Sequence, residues 1–304
     1  MDRLSNRRFP LHPEERSAAR GWVEYGARTP LKARPASSVV LIRDSPTGAE
    51  TYLTCRRSES PLGIVGFPGG LIEEFDDDPV DWCGPSPSAW AKALGTDDSN
   101  LARRHVLAAV RELFEETGVL LAGPDPTTMV ESTRGREWMK ARESLAHQDC
   151  SFAEVLSRRG LAVRSDLIKP LAHWLTPDFA HRRFDTHYFA VAQPVNQSPT
   201  LLESKGIWGG WKCAAQEIDR RNTTELGDEV GQPNTVGRTL SEITVPAVEL
   251  ILEKLGSSRG CIAYLSHKRK IKLYYPHLAE HDGDLMLEVA CPVLTEGGSA
   301  QRGR

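Results

Sequence analysis

The chain has 304 residues and a formal net charge of −3, with 39% hydrophobic and 26% charged residues. This composition is typical of a globular domain and excludes a disordered or fibrous chain. The small negative charge provides no basic field for nucleic acid, so we expect no nucleic-acid partner.

The N-terminal region is polar, and residues 1–33 are rich in Arg and Pro, which predicts a poorly determined leader. It lacks the apolar segment of a secretion signal, and no run of 18 apolar residues predicts a membrane span. The six cysteines form no C-x-x-C pair, so a zinc ribbon is not indicated. We therefore expect reduced cysteines in a cytoplasmic protein with no membrane partner.

Two short apolar runs, residues 37–42 and 51–55, flank a segment with turn chemistry and predict a β-hairpin. The sequence G-F-P-G-G follows at residues 66–70. Its glycines and proline rule out a regular element and let the backbone approach a ligand closely. Residues 71–98 are acidic and show no clear periodicity.

Helical spacing of apolar residues begins at Ser99 and ends at Gly118, which suits a left-handed helix terminus. The remaining pattern mixes helices and strands irregularly, which predicts an α/β or α+β layer fold. Helices are predicted over residues 136–160, 214–221 and 245–255, strands over 167–175, 184–192, 262–275 and 285–289, and a loop over 222–239.

The strongest chemical signal is the sequence R-E-L-F-E-E-T-G-V at residues 111–119. On a helix, Glu112, Glu115 and Glu116 lie at positions i, i+3 and i+4 and share one face. Three clustered carboxylates repel one another unless a cation compensates them, and Mg²⁺ or Mn²⁺ prefers such oxygen ligands. A solvated acidic helix face is the alternative interpretation. The upstream glycine-rich loop favours a site for a metal–diphosphate complex.

These two segments together resemble the box of the Nudix hydrolases, G-x5-E-x7-R-E-U-x-E-E-x-G-U, where U is a bulky aliphatic residue. Residues 111–119 match its second half completely, and Gly70 matches its first residue. Asp76 stands where the box has its first Glu, and 34 residues separate Asp76 from Arg111 instead of seven. This departure puts the role of Asp76 in doubt and indicates an insertion inside the box.

A similar insertion occurs in a Nudix subfamily that includes coenzyme A diphosphatases. The sequence F-P-G-G at residues 67–70 and the segments W-L-T-P at 174–177 and R-R-F-D-T at 182–186 also resemble that subfamily. Residues 53–58, L-T-C-R-R-S, are a near match to its L-L-T-x-R-S signature. The tryptophans of the insertion, Trp82 and Trp90, would pack it down or form an apolar wall for an acyl chain.

The resemblance implies which residues hold the metal. Its ligands would be Glu112, Glu115 and Glu116, with the Gly70 carbonyl as an added ligand, and the cofactor would be Mg²⁺ or Mn²⁺. Arg111 is assigned to the catalytic set, where it orients a carboxylate by a bidentate pair.

The proton of the attacking water needs a base. The candidates are Glu115 and the distant Glu203, a loop residue for which an ordinary surface role is the alternative.

Other polar residues could contact the substrate, with structural or surface roles as the alternative for each. The histidines in or near predicted strands are His173, His181 and His187, and the arginines that could bind phosphates are Arg56, Arg57, Arg182 and Arg183.

The implied fold class is α/β, a Nudix-type α/β/α sandwich with a mixed central sheet, an insertion within the box and a C-terminal α/β extension. The expected organisation is a leader (1–33), a Nudix core (34–221, insertion about 77–104), an extension packed on the core (222–294) and a disordered tail (295–304).

The implied activity is metal-dependent hydrolysis of a diphosphate linkage, with coenzyme A or acyl-coenzyme A giving 3′,5′-ADP and (acyl-)phosphopantetheine. One alternative is hydrolysis of another nucleoside diphosphate derivative, such as ADP-ribose or NADH. The other is a non-catalytic Nudix-fold nucleotide sensor. The expected partner is a small coenzyme A-like molecule, and a homodimer is left open.

Overall fold

The computed structural model describes residues 4–26 and 28–292. The strands are, in chain order, β1 (Leu4–Pro10), β2 (Arg34–Ser45), β3 (Gly48–Arg56), β4 (Val65–Gly66), β5 (Gly69–Leu71), β6 (Trp82–Cys83), β7 (Ala122–Gly123), β8 (Ala162–Arg164), β9 (Lys169–Leu175), β10 (Phe184–Ala192), β11 (Gly206–Cys213), β12 (Leu273–Tyr274), β13 (His277–His281) and β14 (Asp284–Pro292). The α-helices are α1 (Arg16–Glu24), α2 (Pro87–Leu94), α3 (Ser99–Thr117), α4 (Arg136–Ala146), α5 (Phe152–Ser157), α6 (Ala214–Asp219), α7 (Glu225–Val230), α8 (Leu240–Ile243), α9 (Pro246–Gly256) and α10 (Cys261–Ser266). Short 3₁₀ helices lie at Pro13–Glu15, Glu74–Asp77 and Ser165–Leu167.

The central sheet has the strand order β11-β3-β2-β10-β9-β12, with β4 paired to β3 and β5 paired to β2. It is mixed, because β10 runs parallel to β2 and β12 runs parallel to β9. β2 and β3 form the predicted hairpin, but they pair directly only over residues 42–45 and 48–51. Beyond that point β5 and β4 take their places as partners. The glycine-rich loop therefore enters the sheet where the hairpin strands separate. Residues 66–70 were predicted to contain no regular element, which is wrong at both ends, because the strands of the hairpin leave free edges there that β4 and β5 pair with.

The sheet is buried on both faces, as the alternation along β2 shows. Val39 and Leu41 belong to one hydrophobic cluster, and Val40 and Ile42 belong to another. Side chains of a strand point alternately to opposite faces, so each face needs its own covering layer. α3 covers the first face and α9 covers the second. This arrangement confirms the predicted α/β/α sandwich with a mixed sheet.

The insertion predicted over residues 77–104 packs on the first of these clusters. It contains α2, whose first turn is capped by the hydroxyl of Ser86. Trp90 is 3% exposed and its ring meets the ring of Phe189 edge-on at 6.0 Å. Trp82 packs against the same cluster. Both tryptophans thus pack the insertion down, the first of the two predicted roles.

The N-terminal region contains regular structure, which corrects the prediction of a poorly determined leader. β1 pairs antiparallel with β14 along its whole length, and Phe9 is buried in the cluster beneath α9. The partner strand begins at Asp284, far away in sequence. A local pattern cannot show that a polar strand is completed by such a distant partner.

The C-terminal region also departs from the pattern. The strand predicted over residues 262–275 is instead α10 followed by the two residues of β12, and the loop predicted over 222–239 contains α7. The start of α10 depends on a tertiary contact, since the Asp44 carboxylate accepts a hydrogen bond of 2.8 Å from the Cys261 amide. The helix predicted over residues 245–255 is confirmed as α9, which begins at Pro246. The predicted tail, 295–304, lies outside the described residues.

All six cysteines fall within the described residues and are free. No helix among those residues combines the length and the apolar character that crossing a membrane requires.

Candidate active site

The carboxylate cluster lies on the last turns of α3. The Asp98 side chain accepts hydrogen bonds from the amides of the first turn, and Gly118 ends the helix in the left-handed conformation with φ of 74°. Glycine adopts this conformation without steric cost, as the sequence predicted. Arg142 donates to the carbonyls of Glu115 and Glu116 at 3.1 and 2.9 Å, which satisfies acceptors that the helix end leaves free.

The three glutamates of the cluster are all buried, with exposures of 5% for Glu112, 1% for Glu115 and 6% for Glu116. Glu112 faces the glycine-rich loop so closely that a Cβ atom on Gly70 would lie 2.4 Å from its Oε1. Any side chain at this position would displace the carboxylate. The loop and the helix therefore meet at Gly70, as the sequence analysis expected.

Arg111 lies between several carboxylates and is 2% exposed. Its Nη1 donates to Glu112 and Glu115 at 2.7 and 3.0 Å. Burial opposes its charge, but the Glu112, Asp76 and Glu115 carboxylates raise the pKa of Arg111 well above its ordinary value. Arg111 is thus a permanent cation that orients carboxylates, and its burial separates it from solvent.

Asp76 has a defined place despite the insertion that follows it. It is fully buried and accepts hydrogen bonds from Nε and Nη2 of Arg111, both at 2.9 Å. Its Oδ2 also accepts from the Glu73 amide at 2.8 Å, which caps the short 3₁₀ helix Glu74–Asp77. The insertion therefore leaves this carboxylate paired with the arginine of the box.

Lys205 is a site residue that the sequence analysis missed. Its Nζ lies 2.7 Å from Glu115 Oε2 and 3.8 Å from Glu112 Oε2. The backbone amides of Thr200 and Leu202 donate hydrogen bonds to the last carbonyls of α3, and these bonds hold the loop that carries Lys205 beside the cluster. Burial opposes the charge of Lys205, but the two glutamates raise its pKa above the ordinary value. A single lysine in a loop has no spacing that would reveal this contact.

Glu203 lies two residues before Lys205 and is exposed. Its backbone carbonyl accepts a hydrogen bond from the Arg57 guanidinium. The predicted role of its side chain as a base stays a prediction.

The protonation of the cluster is uneven. Burial, with a smaller contribution from the Glu112 charge, raises the pKa of Glu116 to about 7. Burial and the Glu112 charge also raise the pKa of Glu115. Burial opposes the charge of Glu112 too, but Arg111 and Lys205 lower its pKa. Burial therefore disfavours charge on Glu115 and Glu116, and the three carboxylates titrate as one coupled cluster.

Glu116 is directed toward the loop by two donors, the Gly69 amide and the Thr54 hydroxyl, both at 3.1 Å. Within residues 4–26 and 28–292, no three His, Cys, Asp or Glu side chains already have the arrangement of a metal site. Instead, Arg111 and Lys205 form ion pairs with Glu112 and Glu115. The donors nevertheless fit a hard divalent cation, because all three carboxylates are buried and two of them, Glu112 and Glu116, meet the glycine backbone of the loop.

The arginines suggested as phosphate ligands have different environments. Arg56 is buried and donates to the carbonyls of Gly63 and Phe67, so it holds the glycine-rich loop. Arg183 is buried and pairs with Asp178 at 2.8 Å. Arg57 and Arg182 are exposed. Of the four, these last two keep their guanidinium groups at the surface.

Two of the three histidines stack against each other, with His187 buried and His173 half-buried. His173 and His187 stack at 4.0 Å between ring centroids, and His105 of α3 meets His187 edge-on at 4.5 Å. Asp185 accepts a hydrogen bond from His173. His181 is exposed and lies apart from this stack.

Comparison with solved structures identifies the fold. The structure is similar to that of a NUDIX hydrolase from Alicyclobacillus acidocaldarius, with a TM-score of 0.58 and 21% identity over 80% of this chain and 99% of the other. The chain therefore has the Nudix fold, and the resemblance seen in its sequence is confirmed. A MutT NUDIX hydrolase from Burkholderia pseudomallei aligns with a TM-score of only 0.33.

Among curated proteins, the chain is similar to the acyl-coenzyme A diphosphatase NUDT19 of Gallus gallus. The two are 24% identical, and the match covers 64% of each chain, which is less than two thirds of the relative's length. No protein-family profile matches the chain.

Proposed function

We propose that this protein is a hydrolase that cleaves a diphosphate linkage with the help of Mg²⁺ or Mn²⁺. The observation that supports this proposal is the cluster of three buried carboxylates at the end of α3, two of which meet the glycine-rich loop at Gly69 and Gly70. Arg111, the Thr54 hydroxyl and the Gly69 amide already orient these carboxylates, and a cation would complete the site by drawing them together.

The divalent ion would be held by Glu112, Glu115 and Glu116 with the Gly70 carbonyl. When bound, it neutralises charge on a diphosphate and lowers the pKa of water. Arg111 keeps Glu112 and Glu115 oriented from the side of the helix. Lys205 adds a positive charge beside them that is suited to charge developing on phosphate oxygens.

The proton of the attacking water goes to a carboxylate. We propose Glu115 rather than Glu112 or Glu116, because those two carboxylates contact the glycine-rich loop and are better placed as cation ligands, while burial also raises the pKa of Glu115. A base with a pKa nearer to neutrality transfers protons efficiently at physiological pH. Glu203 is exposed and is the group to test against it.

The proposed substrate is coenzyme A or an acyl-coenzyme A, with 3′,5′-ADP and (acyl-)phosphopantetheine as products. Two observations support this choice. The similar curated protein is named an acyl-coenzyme A diphosphatase. The segment at residues 53–58 resembles the coenzyme A signature, and it lies on β3 and continues into the loop that Arg56 holds.

A substrate panel read by mass spectrometry tests the proposal. It contains coenzyme A, acyl-coenzyme A esters, dephospho-coenzyme A, ADP-ribose, NADH and diadenosine polyphosphates, each with Mg²⁺ and with Mn²⁺. We expect release of 3′,5′-ADP from the coenzyme A species. Glu116→Gln should abolish it, while Glu74→Gln, on an exposed residue next to the loop, should not.

The alternatives give different results. Cleavage of ADP-ribose or NADH alone would retain the diphosphatase and reject the coenzyme A substrate. No cleavage, together with a melting shift on nucleotide binding, would favour a sensor.

A further inference from the structure

An apolar cavity of about 190 Å³ lies on the face of the sheet opposite α3. Its walls come from the segment before the glycine-rich loop, the ends of β9 and β10, the start of α9, and α1. The large apolar side chains that line it are Ile64, Trp174, Phe179, Tyr188 and Leu287. None of the carboxylates of the candidate active site lines it.

The cavity is joined to the candidate active site through the loop of residues 63–70. Gly63 lines the cavity, and Arg56 donates both to its carbonyl and to the carbonyl of Phe67. The ring of Phe67 meets the ring of Tyr188, a cavity wall, edge-on at 6.4 Å. One short segment thus contributes to the cavity wall at one end and contacts Glu112 and Glu116 at the other.

The polar groups of the lining do not select a charged ligand. Acidic and basic residues occur together there: Glu14, Glu15, Glu59, His12, His181 and Arg182. Burial raises the pKa of Glu15, which shows that its surroundings disfavour charge. The ring of Trp174 adds apolar surface to the wall and is 6% exposed. The lining therefore suits an uncharged, apolar ligand group.

The size of the cavity restricts the occupant further. Sites that enclose a whole drug-sized ligand measure about 300–1,000 Å³. This cavity is smaller, so it holds one substituent of a ligand rather than a nucleotide. An aliphatic chain matches both the volume and the apolar walls.

We propose that this cavity binds the aliphatic acyl chain of an acyl-coenzyme A substrate, an inference that rests on the proposed function. The diphosphate would lie at the carboxylate cluster, and the chain would enter between the loop and α1. The protein would then discriminate among thioesters by the length of the apolar chain. Each buried methylene contributes about fourfold in binding.

The experiment reduces the cavity by placing a larger side chain on α1. Ala18 lines it and is partly buried, whereas Ser17, its neighbour on the same helix, is exposed and does not line it. Ala18→Phe and Ser17→Phe therefore introduce the same side chain inside and outside the cavity. We measure kcat/KM for coenzyme A and for decanoyl-coenzyme A.

We expect Ala18→Phe to lower kcat/KM for decanoyl-coenzyme A by about tenfold or more, since several methylenes lose their contacts. The kcat/KM for coenzyme A should change by less than about threefold in Ala18→Phe, and Ser17→Phe should change neither value. Ala180→Leu, at a second cavity position, should reproduce the effect if Ala18→Phe unfolds. Thermal melting shows which variants are folded.

The outcomes separate the two proposals. An equal effect on both substrates, or none on either, in folded variants would overturn the acyl-chain site while keeping the diphosphatase. Failure of the unmodified protein to cleave any coenzyme A species would overturn the proposed substrate and with it the acyl-chain site.

Discussion

Asp76 and Arg111 form an almost completely buried ion pair beside the carboxylate cluster. Removal of one partner leaves a buried charge without full compensation, which destabilises by about 3–5 kcal/mol in other proteins. We predict a loss of about 3 kcal/mol for Asp76→Ala, because Arg111 keeps Glu112 and Glu115 as partners. Denaturation in urea measures it.

The neighbouring Asp77 provides the matched control. Its side chain is exposed and contacts Asn100 and Arg104. Exposed pairs contribute about 0–1 kcal/mol, so Asp77→Ala should cost less than about 1 kcal/mol. Equal losses for the two alanine variants would contradict the assignment of Asp76 as the buried partner of the box arginine.

The base is tested by comparing two glutamates. If Glu115 accepts the proton, Glu115→Gln should lower kcat by a factor of about 10²–10⁴, while the kcat of Glu203→Gln stays within about threefold of the unmodified protein. Single-turnover rates on the best substrate of the panel measure both. The reverse order would assign the base to Glu203 and would show that its side chain turns toward the cluster during the reaction.

Gly70 tests how closely the loop approaches the helix. Gly70→Ala would place a methyl group 2.4 Å from Glu112 Oε1 and must displace that carboxylate. We predict a loss of activity of about 10²-fold, the effect expected of a misplacement of about 1 Å. Activity measurements beside a thermal melt check it. Wild-type activity in a folded Gly70→Ala variant would show that the carboxylate tolerates the shift.

At the scale of elements, β9, β10 and α3 meet at the histidine stack. His105 and His187 are 2% and 5% exposed, and burial lowers their pKa values to about 4 and about 2. His173, Arg104 and Asp185 also face these rings. The unfolded chain would titrate both near pH 6.5.

These pKa values predict a loss of stability in acid. Between about pH 6.5 and 4 the unfolded chain binds more protons than the folded one, so stability is present above this range and decreases as the pH falls. We expect a slope of about 1.4 kcal/mol per pH unit for each histidine in urea titrations below pH 6. His187→Phe should reduce that slope, and His147→Gln, at an exposed position, should not. An unchanged slope in His187→Phe would contradict the prediction.

The elements differ in how far the sequence predicted them. α3 and α9 have strong apolar periodicity and clear end signals at Gly118 and Pro246, so local pattern was sufficient. The sequence of α10 resembles a strand, because its apolar run is short and continuous. Its helical start depends on a contact outside that run, since its first amide is paired with Asp44 of β2. Helix and strand are hard to distinguish in such runs.

At the scale of the whole molecule, the two ends of the described chain are joined in one sheet. Phe9 is 3% exposed, and Arg7 pairs with Glu249 at 3.1 Å and with Glu253 of α9. Phe9→Ala should cost about 3–5 kcal/mol, the usual effect of such a cavity.

Ser5→Ala, on the exposed part of β1, is the control and should cost less than about 0.5 kcal/mol. Equilibrium unfolding compares the two variants. A negligible loss for Phe9→Ala would mean that β1 is a dispensable leader, as its composition first suggested.

The sequence by itself determined the chemistry of the candidate site and the class of fold. The helix carrying Glu112, Glu115 and Glu116, its glycine terminus and the glycine-rich loop are all local features, because periodicity, capping and backbone freedom act over a few residues. Tertiary structure alone decided the partners of these residues. Asp76 reaches Arg111 across the insertion, Lys205 approaches Glu115 from a distant loop, and β1 is completed by β14. Such contacts depend on the burial of charge and on the pairing of strand edges between distant segments, and no spacing in the sequence encodes them.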